Sequence, residues 1–587
     1  MIIIKYKLYK EEIPTLNPLE QILYNRDIPI EKQKHWLFAG KDDINNWRLL
    51  DENKVTTACD ILWKCINNNE KVQIVVDCDT DGYTSGSILA NCLYNYFPSW
   101  VKDNLSYIMH EGKEHGLSDV MGKINNDAKM IFCPDGASND REQHKILAEK
   151  GITCVTLDHH QCDKDSDYAI VINHQINDYP DKALTGAGVT WQFCRAFEEI
   201  YNLGNYTDDL VDLCAIGNCG DMADYRENEI RAIMNIGLTH FKNHFLLGMT
   251  KKNEYSINKM NGINYYSMAF YVVPYINAAV RCGTSEEKEL IFKSMLNQYA
   301  DELIPSSKRG EKGTKTPRWV EAITVIDRIK RRQTKLVNDA MFFLENKIQE
   351  DELLDNAILL LLVKPGEVEK NLTGLVANKL MAKYQRPCLV LVRTRLVDDK
   401  EDVYRGSARN YSLSEIQNLK TILDNTGDMV LAAGHEAAFG AGIAYSKLKQ
   451  FIKDTNKIYS EIDQSPTFWV DYVWKDDIPA ENVLDIAEMN IYGQGIPESL
   501  VCVKDFPLSE NSVTLMGLEK GHPTIKIQLS NGVEAIKFKS SEEEFKKFTE
   551  DYSLITFVAK CGKNEWNGSV TPQLIIEDYK ITKDWAF

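Results

Sequence analysis

Between about residues 72 and 240, short apolar runs alternate with longer stretches whose apolar positions recur every three or four residues. Val72-Gln73-Ile74-Val75-Val76 reads as a buried strand that stops at acidic residues and Gly82. Ser85 to Phe97 then carries Ile88, Leu89, Cys92, Leu93 and Tyr96 on one helical face. Met130–Cys133 predicts a second strand, Thr153–Leu157 a third and Ala169–Ile172 a short fourth. Such alternation predicts a parallel sheet with helices on both faces, whose ligands gather at the carboxyl ends of the strands.

A polar Gly/Pro-containing segment, 306–318, predicts a linker, followed by an amphipathic helix from Trp319 to about Ile348. A second α/β unit starts near 356, with strands at Ala357–Val363 and Pro387–Val392 and a helix over 372–384. From about 465 the alternation shortens to a period of two. Thr524–Leu529 and Glu534–Phe538, separated by Asn531-Gly532, predict a hairpin within a small β-barrel.

The length of 587 residues suits three or four domains. Acids exceed bases, 86 to 68, a net charge of −18 that excludes a protein coated in positive charge but not one local basic path. The fourteen cysteines form no CxxC pair and sit among apolar residues, as free thiols of a reducing cytosol do. Met1–Lys7 is too short for a signal peptide, and the longest apolar run, Ala357–Val363, is far below the roughly 20 residues of a membrane helix. A cytoplasmic protein without a membrane partner is expected.

Three acidic clusters fall at predicted strand ends. Asp77-Cys78-Asp79-Thr80-Asp81-Gly82 puts carboxylates on alternate residues, which an extended chain points one way, so that cations are needed to offset their repulsion. The alternatives are a solvated acidic turn and an EF-hand loop. The latter needs Glu at position twelve, which here is Ile88. Asp135 follows the next strand, Asp158-His159-His160 the third, and Asp221 an apolar stretch further on. Carboxylates mixed with imidazoles and no thiolate suit Mn²⁺ or Mg²⁺ better than structural zinc. Several carboxylates suit a pair of ions that activates water and stabilises a phosphoryl transition state.

The order DxDxDG, D-G, D-H-H and G-x-x-x-D resembles the DHH phosphoesterase superfamily. Leu184-Thr185-Gly186-Ala187-Gly188-Val189 and Pro274-Tyr275-Ile276-Asn277-Ala278-Ala279-Val280-Arg281 resemble motifs of RecJ-type single-strand exonucleases. Arg405–Arg409 and Gly434–Gly440 resemble the GSxR and GHxxAxG motifs of the DHHA1 domain, and Tyr492–Glu498 the entry to the RecJ OB-fold. This resemblance implies an α/β fold, with a DHH domain on a parallel sheet, then a DHHA1 domain joined to it by a long helix, then an OB-like barrel. The implied boundaries are 1–70 for an N-terminal cap, 71–305 for DHH, 306–350 for the basic linker and helix, 351–460 for DHHA1 and 461–587 for the barrel.

Roles follow from the same resemblance. Asp79 and Asp135 would bind one metal; Asp81, Asp135, His159 and Asp221 the second, with Asp135 bridging. His160 would meet the scissile phosphate or the leaving group rather than a metal, Asp158 would orient the histidines, and Asp77 would shape the acidic loop or bind a cation through water. Arg281, Asn277, Ser407, Arg409 and His435 would bind substrate. Two positions depart from the pattern. Val75 stands where many relatives have a metal-binding His, and Val280 stands where a Gly precedes the arginine.

Between Lys308 and Lys335 ten bases face three acids. This segment, with Arg318, Arg328, Arg331 and Arg332, is either a solvated helix face or a basic path for phosphates. Trp566 is either a base-stacking residue or part of the barrel core. The resemblance implies a monomeric 5′→3′ exonuclease on single-stranded DNA that releases 5′-mononucleotides with two divalent cations, Mn²⁺ preferred and Mg²⁺ admitted. It also allows a single-strand-binding protein or a helicase as partners. The alternatives are a phosphodiesterase on short oligonucleotides or cyclic dinucleotides, and a DHH scaffold without catalysis.

Overall fold

The computed structural model describes residues 5–112, 115–311, 313–396, 401–550 and 553–583. Met1–Ile4 of the N-terminal apolar stretch and Lys312 of the basic segment lie outside the described residues. The chain divides into two compact units. One is Ile28–Gln333 with Asn490–Pro497; the other is Met1–Asp27 with Thr334–Met489 and Glu498–Phe587.

In the first unit, β1 (Lys71–Val76), β2 (Leu105–Met109), β3 (Ala128–Pro134), β4 (Thr153–Asp158) and β5 (Ile170–Asn173) form one sheet in the order β2-β1-β3-β4-β5. Every pair is parallel. Apolar runs such as Val72–Val76 and Met130–Cys133 suit strands covered on both faces. The strand order reverses between β1 and β3, so the chain leaves these neighbours in opposite directions and opens a crevice beyond their carboxyl ends. Helices α1 (Thr80–Tyr96), α2 (Gly186–Ile200) and α3 (Val211–Gly220) pack on one another beside the sheet.

α1 starts five residues before the periodicity alone predicts. Asp79 is its N-cap, with Oδ1 accepting from Gly82 N at 3.0 Å. The acidic run is therefore not one extended stretch: Asp77 directly follows the strand, Asp79 caps the helix, and Asp81 lies in the first helical turn. Downstream, α4 (Val273–Cys282) carries Asn277. The expected linker is a short hairpin, Leu303–Pro305 paired with Lys315–Pro317, and α5 (Arg318–Glu350) follows it directly. The Tyr492–Glu498 motif, expected at the entry to the barrel, lies largely in this unit. Tyr225 N donates to Gln494 O, and Gly493 packs so closely on Tyr225 and Tyr265 that a Cβ there would overlap both rings.

In the second unit, β6 (Leu359–Val363), β7 (Cys388–Thr394), β8 (Val403–Arg409), β9 (Met429–His435) and β10 (Ala438–Ala444) form a sheet in the order β9-β10-β8-β7-β6. Only β6 and β7 are parallel. α6 (Thr373–Tyr384) packs on β7 and β8. The C-terminal strands β11 (Tyr472–Trp474), β12 (Val501–Pro507), β13 (Val513–Met516), β14 (Thr524–Gln528), β15 (Glu534–Lys537), β16 (Ser553–Trp566) and β17 (Ser569–Lys583) form a seven-stranded sheet. Its order is β11-β12-β16-β17-β15-β14-β13. The predicted hairpin is β14–β15, antiparallel, and its turn places Asn531 and Gly532 at positive φ of 54° and 74°.

The N-terminal seventy residues, expected as one cap, are divided between the units. Lys5–Leu8 pairs in parallel with Thr467–Val470. Behind that pairing Arg26 meets Asp471 bidentately, at 2.7 and 2.9 Å, and both side chains are at most 2% exposed. Tyr9 stacks on the guanidinium at 4.0 Å, and Asn25 donates to Asp471 at 2.9 Å. A charge pair this deep is costly to break because the survivor stays buried alone. Asp471→Ala is expected to lower stability to urea by about 3 kcal/mol or more. The double change Arg26→Met with Asp471→Leu is expected to lose less than Asp471→Ala alone; equal or larger loss would show that the pair itself is not the determinant.

Candidate active site

All six aspartates of these motifs (Asp77, Asp79, Asp81, Asp135, Asp158 and Asp221), and both histidines, lie at the carboxyl ends of β1, β3 and β4 or at the adjoining ends of α1 and α3. Asp81 is 1% exposed and is held by the start of α2. Gly186 N donates to Oδ2 at 2.8 Å, and Ala187 N and Thr185 Oγ1 donate to Oδ1 at 3.0 Å each. A helix N-terminus favours a carboxylate there. Even so, burial, with the charge of Asp79 added, pushes the Asp81 carboxyl up to about 6.

Asp135 follows β3 with φ at 66°, in the left-handed region, so the chain turns sharply and aims the side chain into the crevice. It is 1% exposed, and neither carboxylate oxygen has a hydrogen-bond partner among the described residues. Burial, then the charges of Asp81, Asp79, Asp77 and Asp221, push it well above the ordinary carboxylate range. His159 Nε2 lies 3.2 Å from Asp135 Oδ1, 3.5 Å from Asp221 Oδ2 and 3.8 Å from Asp81 Oδ2, and it too has no hydrogen-bond partner there. Asp221 is the C-cap of α3, and burial raises it to about 6.

Asp158 does a different job. Its Oδ1 accepts from the backbone N–H of His159 and His160, at 2.7 and 3.1 Å, and from His160 Nδ1 at 2.8 Å; Oδ2 accepts from Ser138 N at 3.0 Å. Burial alone would raise it, but the histidines and these donors prevail and hold it well below the ordinary range. His160, against the opposing effect of burial, is pushed up to about 9 by Asp158.

Two glycines make the crevice narrow. A Cβ on Gly186 would lie 2.5 Å from Asp135 Cβ, and one on Gly217 would lie 2.5 Å from both Asp81 Oδ1 and Ala187 Cβ. These residues stand inside motifs visible in the sequence, but their packing role is not. Two residues carry no motif at all. His115 Nδ1 lies 2.5 Å from Asp77 Oδ2, and the buried His110 lies behind the same carboxylate.

Orphaned carboxylate oxygens beside an orphaned imidazole nitrogen, in a cluster of like charges, fit divalent cations. Asp77, Asp79 and Asp135 bring one donor each within 4.8 Å of one another, as do Asp135, His159 and His160. Asp135 belongs to both sets.

The remaining expected residues are placed unevenly. Asn277, expected to bind substrate, also buttresses the acidic turn: its Oδ1 accepts from Thr80 N at 3.2 Å and Thr80 Oγ1 at 2.9 Å. Arg281 is exposed at the end of α4. In the second unit Arg409, Ala438 and His435 stand in register across β8, β10 and β9, so the two polar side chains share a face with a small residue between them. Ser407, two residues before Arg409, meets Thr373 Oγ1 at 3.0 Å at the start of α6. Much of the basic segment is already paired: Arg318 with Glu302, Arg331 with Asp327 and Arg332 with Glu287, while the charge of Arg328 also bears on Glu287. Trp566 is 73% exposed at the tip of the β16–β17 hairpin rather than in the core.

A doubly wound parallel sheet that gathers these aspartates and a D-H-H triplet at its switch point defines a metal-dependent phosphoesterase of the DHH class. The family model described as the DHH family, N-terminal domain, matches residues 71–218, and the RecJ OB domain model matches 473–578. The SPbeta prophage-derived protein YorK of Bacillus subtilis, whose name assigns it only provisionally as a single-strand DNA-specific exonuclease, is 32% identical over 590 residues, covering 99% of this chain and 98% of that one. The single-stranded-DNA-specific exonuclease RecJ of the same species is 25% identical over 567 residues, 93% of this chain and 66% of that one. The crystal structure of RecJ with Mn²⁺ from Thermus thermophilus superposes with a TM-score of 0.70 at 18% identity, over 99% of this chain and 80% of that one. The chain belongs to the RecJ family. No helix among the described residues is long and apolar enough to cross a membrane.

The crowding of carboxylates is a stability cost that function retains. Asp135→Asn is expected to stabilise the cation-free protein by about 1 kcal/mol and to lose the rise in melting temperature that Mn²⁺ gives the parent chain. Gly217→Ala, which changes no donor, is expected to weaken Mn²⁺ binding by pressing on Asp81. Thermal melts with and without Mn²⁺ check both, and an unchanged response in either variant contradicts the assignment.

Proposed function

We propose that the protein is an exonuclease on single-stranded DNA that works from the 5′ end and releases 5′-mononucleotides with two divalent cations. The observation that carries the reading is Asp135, a buried carboxylate with both oxygens unpartnered between two sets of candidate ligands. Asp77, Asp79 and Asp135 would hold one cation, and Asp81, Asp135, His159 and Asp221 the other. When bound, the pair supplies charge for the phosphoryl transition state and acidifies water at neutral pH.

The chain's own groups do the rest. Asp158 fixes the orientation of the His159–His160 pair through three hydrogen bonds. His160 carries a proton at neutral pH and is half exposed, so it is suited to donate to a phosphate oxygen or to the leaving oxygen. His159 is lowered, chiefly by burial, which keeps its Nε2 lone pair available. This imidazole nitrogen supports Mn²⁺ over Mg²⁺ as the more effective cation.

The shared face of Arg409 and His435, with Ser407 and the start of α6 beside it, supports a terminal-phosphate site: the guanidinium fork matches phosphate oxygens, and a helix N-terminus welcomes anions. Arg281, exposed on its helix end, is suited to a backbone phosphate. The match to a RecJ OB domain and the exposed Trp566 support a polymer substrate rather than a short oligonucleotide. Retention of Asp79, Asp81, Asp135, His159, His160 and Asp221, with Val75 the one ligand position that departs, argues against a scaffold without catalysis.

Asp135→Ala is expected to abolish hydrolysis in Mn²⁺ while binding of single strands survives. Linear 5′-phosphorylated single strands are expected to be digested fastest, and closed circles and blunt duplex to resist. Arg409→Ala is expected to lose most of the 5′-phosphate advantage and about one phosphate contact from the salt dependence of binding. End-labelled substrates check this: equal loss of linear and circular strands would show an endonuclease.

A further inference from the structure

Two imidazoles from the segment between β2 and β3 converge on Asp77, and the reading above uses neither. His115 Nδ1 lies 2.5 Å from Asp77 Oδ2, and both of its ring nitrogens lie 3.8 Å from Cys78 Sγ. Asp77, Cys78 and His115 each offer a donor within 4.8 Å of the others. His110 is 4% exposed, with its Nδ1 3.0 Å from Asp119 Oδ1. Its Nε2 faces Asp77 Oδ1 at 3.7 Å and has no hydrogen-bond partner among the described residues. An imidazole whose one nitrogen is tied to a carboxylate presents the other as a fixed lone pair or donor, the arrangement that orients groups around metal ions. Meanwhile the buried Val75 offers no donor at this end of β1.

We propose that His115 is a nitrogen ligand of the cation held by Asp77, Asp79 and Asp135, and that His110, fixed by Asp119, is the positioning residue that sets Asp77 for it. The inference rests on the two-cation reading and adds to it a ligand from outside the DHH motifs. The His115 side chain is 53% exposed. It can therefore change from sharing a proton with Asp77 to sharing a cation with it while the core stays as it is. A nitrogen donor at this position favours Mn²⁺ over Mg²⁺ at the first cation as His159 does at the second.

The test is Mn²⁺ titration of the full chain, followed by the electron paramagnetic resonance of free Mn²⁺. Pulsed measurements count the histidine ¹⁴N couplings to the bound ions. His115→Ala and His115→Gln are compared with the parent, each with its melting curve recorded. The parent is expected to bind two ions and to couple to two histidines. Both variants are expected to keep the fold, to lose one coupling and to bind one of the two ions about tenfold more weakly. His110→Ala is expected to weaken the same ion while both couplings remain. Two ions bound with unchanged constants and unchanged couplings in both His115 variants would overturn the assignment and leave the two-cation reading standing. A parent chain that binds fewer than two ions would overturn both.

Discussion

The structure turns on the repulsion among carboxylates gathered where β1, β3 and β4 end. Two unit charges 4 Å apart at an effective permittivity of about 20 repel by about 4 kcal/mol, and Asp135 faces four such neighbours while buried. Every nearby feature offsets part of that energy without removing the negative potential. The start of α2 donates three hydrogen bonds to Asp81. The N-terminus of α1 accepts Asp79 as its cap. His159 sits among Asp81, Asp135 and Asp221. What is left over lies chiefly on Asp135, whose two oxygens accept no hydrogen bond among the described residues and which burial and its neighbours leave to be neutralised by a proton or by cations.

The parallel sheet makes this concentration feasible. Its reversal of order between β1 and β3 leaves a crevice beyond their carboxyl ends, and the strand ends deliver carboxylates from segments far apart in sequence. Glycine at 186 and 217 then lets two helices approach closer than any side chain would allow. The ligands stand within one or two residues of strand and helix ends, which anchor the short turns that carry them.

How much of this was legible in the sequence depends on how local the cause is. Strand ends, the D-H-H triplet and the Asn531-Gly532 hairpin are written in short stretches, and their positions agree with the pattern of apolar runs. The early start of α1 was hidden because the apolar periodicity begins later than the cap does: Asp79 reads equally well as one of three alternating acids. The contact of Asn277 with Thr80, 197 positions away, has no local signal either. The division of the first seventy residues rests on Arg26 meeting Asp471 across 445 positions, a pairing no local signal announces. His110 and His115 were missed for the same reason, since single histidines ahead of Gly116 carry no motif. The basic segment reads as free charge in sequence, whereas Arg318, Arg331 and Arg332 have acidic partners in the fold.

The claim on which all of this depends is that Asp135 stands between two cations. Crystals soaked in Mn²⁺ and measured at the manganese absorption edge test it most directly. The account predicts two anomalous peaks about 3.5–4 Å apart, one on each side of the Asp135 carboxylate. A single peak, or a pair of which only one lies within bonding distance of Asp135, would contradict it.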